Sequence, residues 1–317
     1  MHTARESSLK PKPHYALAAT ALALAGCLWG TGFLFGKIAM TEMTLEENVA
    51  YRFLAGALAL SPIALRNWKP YRGRELGLLV LASAIGVPLQ ILIQFRGLQL
   101  TTVSHASLIV GVLPILLAVS SAIFLKERLR LLEWIVLALS AAGAVLIARS
   151  SVNSSLGPQP SVHGDLLVLA SLFAAVVMIL LSKRLIVTHG ALPVTAATII
   201  LGTMMLLVWV EISRPVRFHF SSGVWGAAVA QGLLATAGAF LFWNWGLAHT
   251  PASRAAIFLN LEPVVGAVLG VVILHERLGA LAVLGGILII GAAVYFSLRP
   301  QQTSPLVRTM SSAVVSE

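Results

Sequence analysis

The chain has 317 residues, of which 58% are hydrophobic and only 11% charged. A soluble globular chain carries roughly 25% charged residues, so an ordinary water-soluble enzyme of this size is excluded, as is a chain disordered throughout. The net charge of +10 lies in short patches between long apolar runs, which is the pattern that orients membrane proteins and not the continuous basic stripe of a nucleic-acid binder.

The chain opens with a polar, basic stretch over residues 1–14 that holds Pro11 and Pro13. No small-residue cleavage site stands apart after the first apolar run, so a cleaved signal peptide is not expected. Apolar runs then follow at about 15–36, 48–65, 76–95, 103–125, 131–149, 164–182, 191–212, 223–247, 252–274 and 279–298. Each is close to the roughly 20 residues that cross a bilayer as a helix. The expected fold is therefore all-α and integral to the membrane, with about ten transmembrane helices. Two longer loops, near 149–164 and 212–222, are rich in Ser, Pro, Gly and polar residues. The first of them separates the halves of the chain. The tail beyond residue 298 is polar and expected to be disordered. The expected organisation is a tail at 1–14, a five-helix unit at 15–149, a linker at 150–163, a second five-helix unit at 164–298 and a tail at 299–317.

Basic residues crowd one side of this arrangement. With the N-terminus cytoplasmic, that side receives Arg5, Lys10, Lys12, Arg66, Lys69, Arg72, Arg74, Lys126, Arg128, Arg130, Lys183 and Arg184, with Arg254, Arg299 and Arg308. The other side receives Arg149, Arg214, Arg217 and Arg277, and the loop after the first span carries Glu42, Glu46 and Glu47. The positive-inside rule then places both termini in the cytoplasm.

The second half repeats the first at one constant spacing. Gly97-Leu98 matches Gly246-Leu247, Thr101 matches Thr250, Ser104 matches Ser253, Pro114 matches Pro263, and Glu127-Arg128-Leu129 matches Glu276-Arg277-Leu278. Each unit holds five spans, an odd number, so the second enters the membrane from the opposite side. Inverted repeats of this kind build secondary transporters with a substrate site near the midplane.

These residues resemble the EamA-type branch of the drug/metabolite transporter superfamily. The resemblance rests on Leu28-Trp29-Gly30-Thr31-Gly32-Phe33 in the first span, Tyr51-Arg52-Phe53 in the second, and the block from small residues through Pro to Leu-x-Glu-Arg-Leu. That block occurs at 106–129 and again at 255–278, with Leu261-Glu262-Pro263-Val264 inside the second copy. The resemblance covers roughly residues 15–298. The sixth span departs from it, with Phe173-Ala174-Ala175 where the family often has Trp. It implies a ten-helix carrier whose cavity is lined by spans one, three, four, six, eight and nine. Many relatives export amino acids or other small metabolites from bacteria, so the expectation is a bacterial inner-membrane exporter of an amino acid or derivative. Import or exchange of a sugar-derived or phosphorylated metabolite is the alternative, and it needs a basic pocket. A non-transporting scaffold or a lipid-modifying enzyme is the alternative from another class.

The candidate substrate-path residues are Trp29, Gln90, Gln94, Arg96, Pro114, Gln231, Asn260, Glu262 and Pro263. Glu262 leads them, because an ionisable group inside a span is costly; the bland reading is a protonated tether between helices. Pro114 and Pro263 each free a carbonyl four residues back, at Val110 and Leu259, and so predict kinked helices. Gln90 and Gln94 share a helical face. Asn260 and Gln231 are weaker amide candidates of the same sort. Trp29 offers an apolar wall, whereas Trp243 and Trp245 read as interfacial anchors. Arg96 is read as a carboxylate contact near a span end, and Arg52 as a partner of Glu46 or Glu47. Glu127 and Glu276 are expected to cap the helices that follow them. Walker A, Gly-x-Ser-x-Gly and His-Glu-x-x-His patterns are absent and the single Cys27 cannot form an intrachain disulfide, so neither enzyme activity nor a cofactor or metal is expected. The expected partners are a small-molecule substrate and the lipid bilayer, with no nucleic acid; a homodimer is compatible with the sequence.

Overall fold

The computed structural model of the chain describes residues 13–66, 70–100, 109–150, 161–213, 217–274 and 279–298. Residues 1–12, residues 151–160 of the linker and the tail from 299 lie outside them, as do Trp68, His105 and Glu276. Among the described residues the structure is all-helical. In chain order the helices are α1 (Pro13–Ala39), α2 (Leu45–Arg66), α3 (Arg74–Leu100), α4 (Leu113–Phe124), α5 (Leu131–Ser150), α6 (Val162–His189), α7 (Ala191–Ser213), α8 (Ser222–His249), α9 (Ala252–Leu274) and α10 (Ala280–Leu298). Six of them, α1 to α3 and α6 to α8, are long and apolar enough to cross a membrane; α4, α5 and α10 hold shorter apolar helices.

Helix starts follow from local chemistry. Thr44 and Glu47 form a reciprocal capping box at α2, with Glu47 N–H donating to Thr44 Oγ1 at 3.3 Å and Thr44 N–H to Glu47 Oε2 at 2.8 Å. Ser161 caps α6 by accepting from Gly164 N–H, and Ser221 caps α8 by accepting from Val224 N–H. Glu133 accepts from Arg130 N–H at the head of α5.

The packing carries the repeat into space. α2 packs on its counterpart α7, and α5 on its counterpart α10. The α1–α8 contact is mirrored by α6–α3, and α1–α9 by α6–α4. The departures from regular helix are also paired. α3 contains a π-helical turn at Ile85–Leu89, and α8 one at Gly232–Gly238. Gly97 and Gly246 are 149 residues apart; the same displacement carries 85–89 onto 234–238. α9 is a short helix, Ala252–Ala255, then a 3₁₀ turn, Ala256–Asn260, then a helix, Leu261–Leu274. Just before α4, the helix at Ile109-Val110 gives way to a turn at Gly111-Val112.

This corrects the expected proline kinks. Pro114 and Pro263 sit in the first turns of the helices that begin after these breaks. There a missing N–H costs nothing and the fixed φ of proline suits the helix start. The spans are broken rather than bent.

The capping role of Glu127 is also corrected. It does not cap α5, which Glu133 serves. Instead Glu127 reaches across to the second unit and accepts from the N–H groups of Ala252 and Ser253 at 3.0 and 2.9 Å and from Ser253 Oγ at 2.8 Å. Lys183 Nζ of α6 donates to Glu127 at 3.0 Å and to the Thr250 carbonyl at 2.8 Å. Arg254 pairs with Glu133 beside it, both buried. Glu127 therefore caps α9 of the second unit rather than the next helix of its own. At the opposite end Arg217 donates to both oxygens of Glu47, and Tyr51 Oη donates to the Arg217 carbonyl. Glu42 accepts from Ser221 N–H at 2.8 Å, and its bonds to Ser221 hold its carboxyl below the usual carboxylate range.

Candidate functional site

The site is built where α1 crosses the broken span α9. A Cβ on Gly30 would lie 2.8 Å from the Glu262 carbonyl and 2.6 Å from Val265 Cβ, and one on Gly26 would strike the Phe258 carbonyl. Only glycine lets the two backbones approach this closely. The approach brings Trp29 of α1 and Glu262 of α9 into one region. Trp29 meets Phe240 edge-on and Trp243 at a tilt, each with centroids 5.4 Å apart, a favourable aromatic geometry. Trp243 is 2% exposed, which corrects its expected role as an interfacial anchor. Trp245 is half-buried and stacks on His249.

The π turn of α8 supplies the second element. A π turn widens the helix by one residue and is frequent at functional sites. Arg52 of α2 uses it: Nε donates to Thr236 Oγ1 at 2.9 Å and Nη2 to the Ala235 carbonyl at 3.2 Å. The guanidinium also lies 5.5 Å from the Phe53 ring centroid. A Cβ on Gly232 would press on the Arg52 carbonyl, so that glycine is what lets α8 come so close to α2. Arg52 does not pair with Glu46 or Glu47, contrary to the sequence expectation; Glu47 is taken by Arg217.

Arg52 is hydrogen-bonded only to the π turn of α8, and no hydrogen bond or ion pair joins it to Glu262. Among the described residues the Glu262 carboxyl and Arg52 Nη1 have no hydrogen-bond partner, and both residues are half-buried. One turn from Arg52, Asn48 shares its face of α2. Gln231 on α8 donates from Nε2 to the Gly32 carbonyl of α1 at 2.8 Å. Asn48 Oδ1 and Gln231 Oε1 are buried with no donor among the described residues. Asn48, Gln231, Arg52 and Thr236 thus form a cluster of polar groups where α1, α2 and α8 meet.

The remaining candidates divide. Gln90 Nε2 donates to Gln94 Oε1 at 3.4 Å on a half-buried face of α3. Asn260 is 2% exposed and turns to α5, donating to Ser140 Oγ at 2.9 Å, a tether between helices. Pro114 is buried and Pro263 half-buried in their first helical turns. Arg96 lies elsewhere, in a groove of about 490 Å³ between α2, α3, α6 and α7 that Glu46, Leu92, Leu206 and Trp209 also line. The structure therefore sets Trp29 and Gln231 along the α1–α8 contact and the Glu262 backbone against Gly30 of α1, and places Arg96 and Asn260 elsewhere. Sequence reasoning passed over Thr236 and Asn48 and gave Arg52 another partner. The signal for Arg52 was a cation inside the span that starts at Leu45, set between Tyr51 and Phe53.

A profile of the EamA-like transporter family matches the chain twice, over residues 16–149 and 162–298. The chain belongs to the EamA-like transporter family. The two matches coincide with the two five-helix units. An uncharacterized transporter of Archaeoglobus fulgidus is 27% identical over 301 residues, with 92% of this chain and 99% of the relative covered. The uncharacterized transporters YetK and YdeK of Bacillus subtilis are 23% and 29% identical, with 86% and 79% of this chain and 86% and 90% of theirs covered. A protein solved by crystallography superposes with a TM-score of 0.75 at 21% identity, covering 87% of this chain and 95% of its own, so the two share a fold. The chain is a multi-pass membrane protein of a transporter family.

Proposed function

We propose that this EamA-family protein is a secondary carrier that exports a small polar metabolite, an amino acid or a derivative of one, by alternating access between its two repeats. An uncommitted ionisable group in the helix bundle carries the reading: the Glu262 carboxyl on α9 has no hydrogen-bond partner among the described residues and is half-buried. A charge in hydrocarbon is expensive and persists where solute, ion or water meets it. The family membership and the transporter names of the relatives support transport rather than catalysis. Export is the direction that the family resemblance implies. The basic bias of one set of loops supports both termini in the cytoplasm, and the family resemblance supports a bacterial inner membrane.

Proteoliposomes loaded with labelled L-amino acids test the proposal, comparing wild type with Glu262→Gln, with and without a pH gradient. Efflux of one solute class through wild type is expected, falling at least about tenfold in the variant, the equivalent of about 1.4 kcal/mol in the barrier. A response to the pH gradient that the variant loses would make Glu262 the proton site. No solute movement through wild type under any gradient would overturn the proposal.

A further inference from the structure

We propose that the groove between α2, α3, α6 and α7 binds a membrane phospholipid whose headgroup carries both a phosphate and a primary ammonium, as phosphatidylethanolamine does. Arg96 takes the phosphate and Glu46 the ammonium. The inference needs the protein to lie in a membrane and does not depend on what it transports.

The acidic residues where α2 begins are committed, save one. Glu42 accepts from Ser221 N–H, and Glu47 is held by Arg217. Glu46, in the first turn of α2, has no hydrogen-bond or ion-pair partner among the described residues and lines the groove instead. Arg96, near the end of α3, lines the same groove. One space of about 490 Å³ thus joins a carboxylate and a guanidinium, a size within the roughly 300–1,000 Å³ of small-molecule sites.

The polarity of this space is graded along the helices. Val49 lies three residues into α2 from Glu46, Leu92 four residues into α3 from Arg96, and Leu206 three residues into α7 from Trp209. Each is about one helical turn deeper than its partner. The two charges and the exposed Trp209 therefore form the mouth, and aliphatic side chains form the floor. Tryptophan at a span end is the mark of headgroup depth. A phospholipid has the same gradient in the same order, with phosphate and ammonium outermost and an acyl chain below. The guanidinium suits phosphate oxygens through paired hydrogen bonds, and the carboxylate accepts from the ammonium. A glutamate that served only the positive end of the α2 dipole would be blind to the headgroup.

The test is native mass spectrometry of the full chain, delipidated in detergent and offered phosphatidylethanolamine, phosphatidylcholine and phosphatidylglycerol with the same acyl chains. Wild type should hold phosphatidylethanolamine at least about tenfold more tightly than the other two, as one charge-assisted hydrogen bond predicts. Glu46→Gln should bring phosphatidylethanolamine down to phosphatidylcholine. Arg96→Gln should weaken all three alike, and Leu92→Trp, which fills the floor, should abolish retention of each. Thermal unfolding in detergent identifies the variants that are folded and can be read. Loss of the preference in a folded Glu46→Gln supports the assignment. A preference that survives there, a wild type that binds the three lipids equally, or one that retains none would overturn it. Equally tight binding of the soluble headgroup glycerophosphoethanolamine would show that the apolar floor contributes nothing and would overturn the lipid as occupant.

Discussion

Gly30 shows how single residues set the site. It brings α1 against the backbone of α9, and a methyl group there has no room beside the Glu262 carbonyl and Val265. Gly30→Ala is expected to cost roughly 1–3 kcal/mol by overpacking, read as a lower unfolding temperature in detergent. Gly286 has nothing within 4 Å of the place a methyl group would occupy. It should tolerate alanine without loss, and equal effects at the two sites would refute the packing argument. Glu42 lies outside the spans, and its carboxyl is held below its ordinary 4.5 by Ser221. A lowered folded-state pKa stabilises above the ordinary value, and that contribution is lost as pH falls through the folded one. Glu42→Gln should therefore flatten the acid limb of the stability profile, and an unchanged limb would rule this link out. At this scale the sequence exposed Glu262 through the cost of a carboxylate between Leu261 and Pro263. Arg52 was less legible, because a cation that follows Glu46 and Glu47 reads as their partner, whereas its bonds go to Thr236 and the Ala235 carbonyl, more than 180 residues away.

At the scale of elements, the spans were legible because hydrophobicity and length alone define them. Their interruptions were only half legible. Pro114 and Pro263 marked the right positions, yet a kink and a break look alike in sequence, and no proline marks the π turn Gly232–Gly238. The cross-repeat cap was hidden for a different reason: Glu127 is 125 residues from Ala252, whose N–H it accepts, and capping rules operate over three or four residues. That cap has a measurable consequence. Glu127→Ala strips the buried Lys183 of its counter-ion and the head of α9 of its cap, and should cost about 3–5 kcal/mol. Adding Lys183→Met should recover part of the loss, because the stranded charge goes with it. Strict additivity of the two changes in thermal or denaturant unfolding would refute the coupling.

For the whole molecule, the internal repeat was the most informative feature of the sequence, and the structure extends it from residues to packing. Self-paired α2–α7 and α5–α10 contacts, with α1–α8 mirrored by α6–α3, describe two halves related by a pseudo-two-fold. The two ends are closed by different groups, Glu127, Lys183, Glu133 and Arg254 at one and Glu42, Glu47 and Arg217 at the other. The charges of Arg52 and Glu262 belong to the interior between them. A carrier of this design must expose that interior to each side in turn. Cys27 is the chain's single cysteine, so a Cys27→Ser background leaves one thiol where it is placed. The decisive measurement is labelling of Glu262→Cys in that background by membrane-impermeant thiol reagents, applied separately to each face of oriented vesicles. Alternating access requires reaction from both faces. Reaction from one face alone, or from neither, would contradict an interior site at Glu262 that opens to each side in turn.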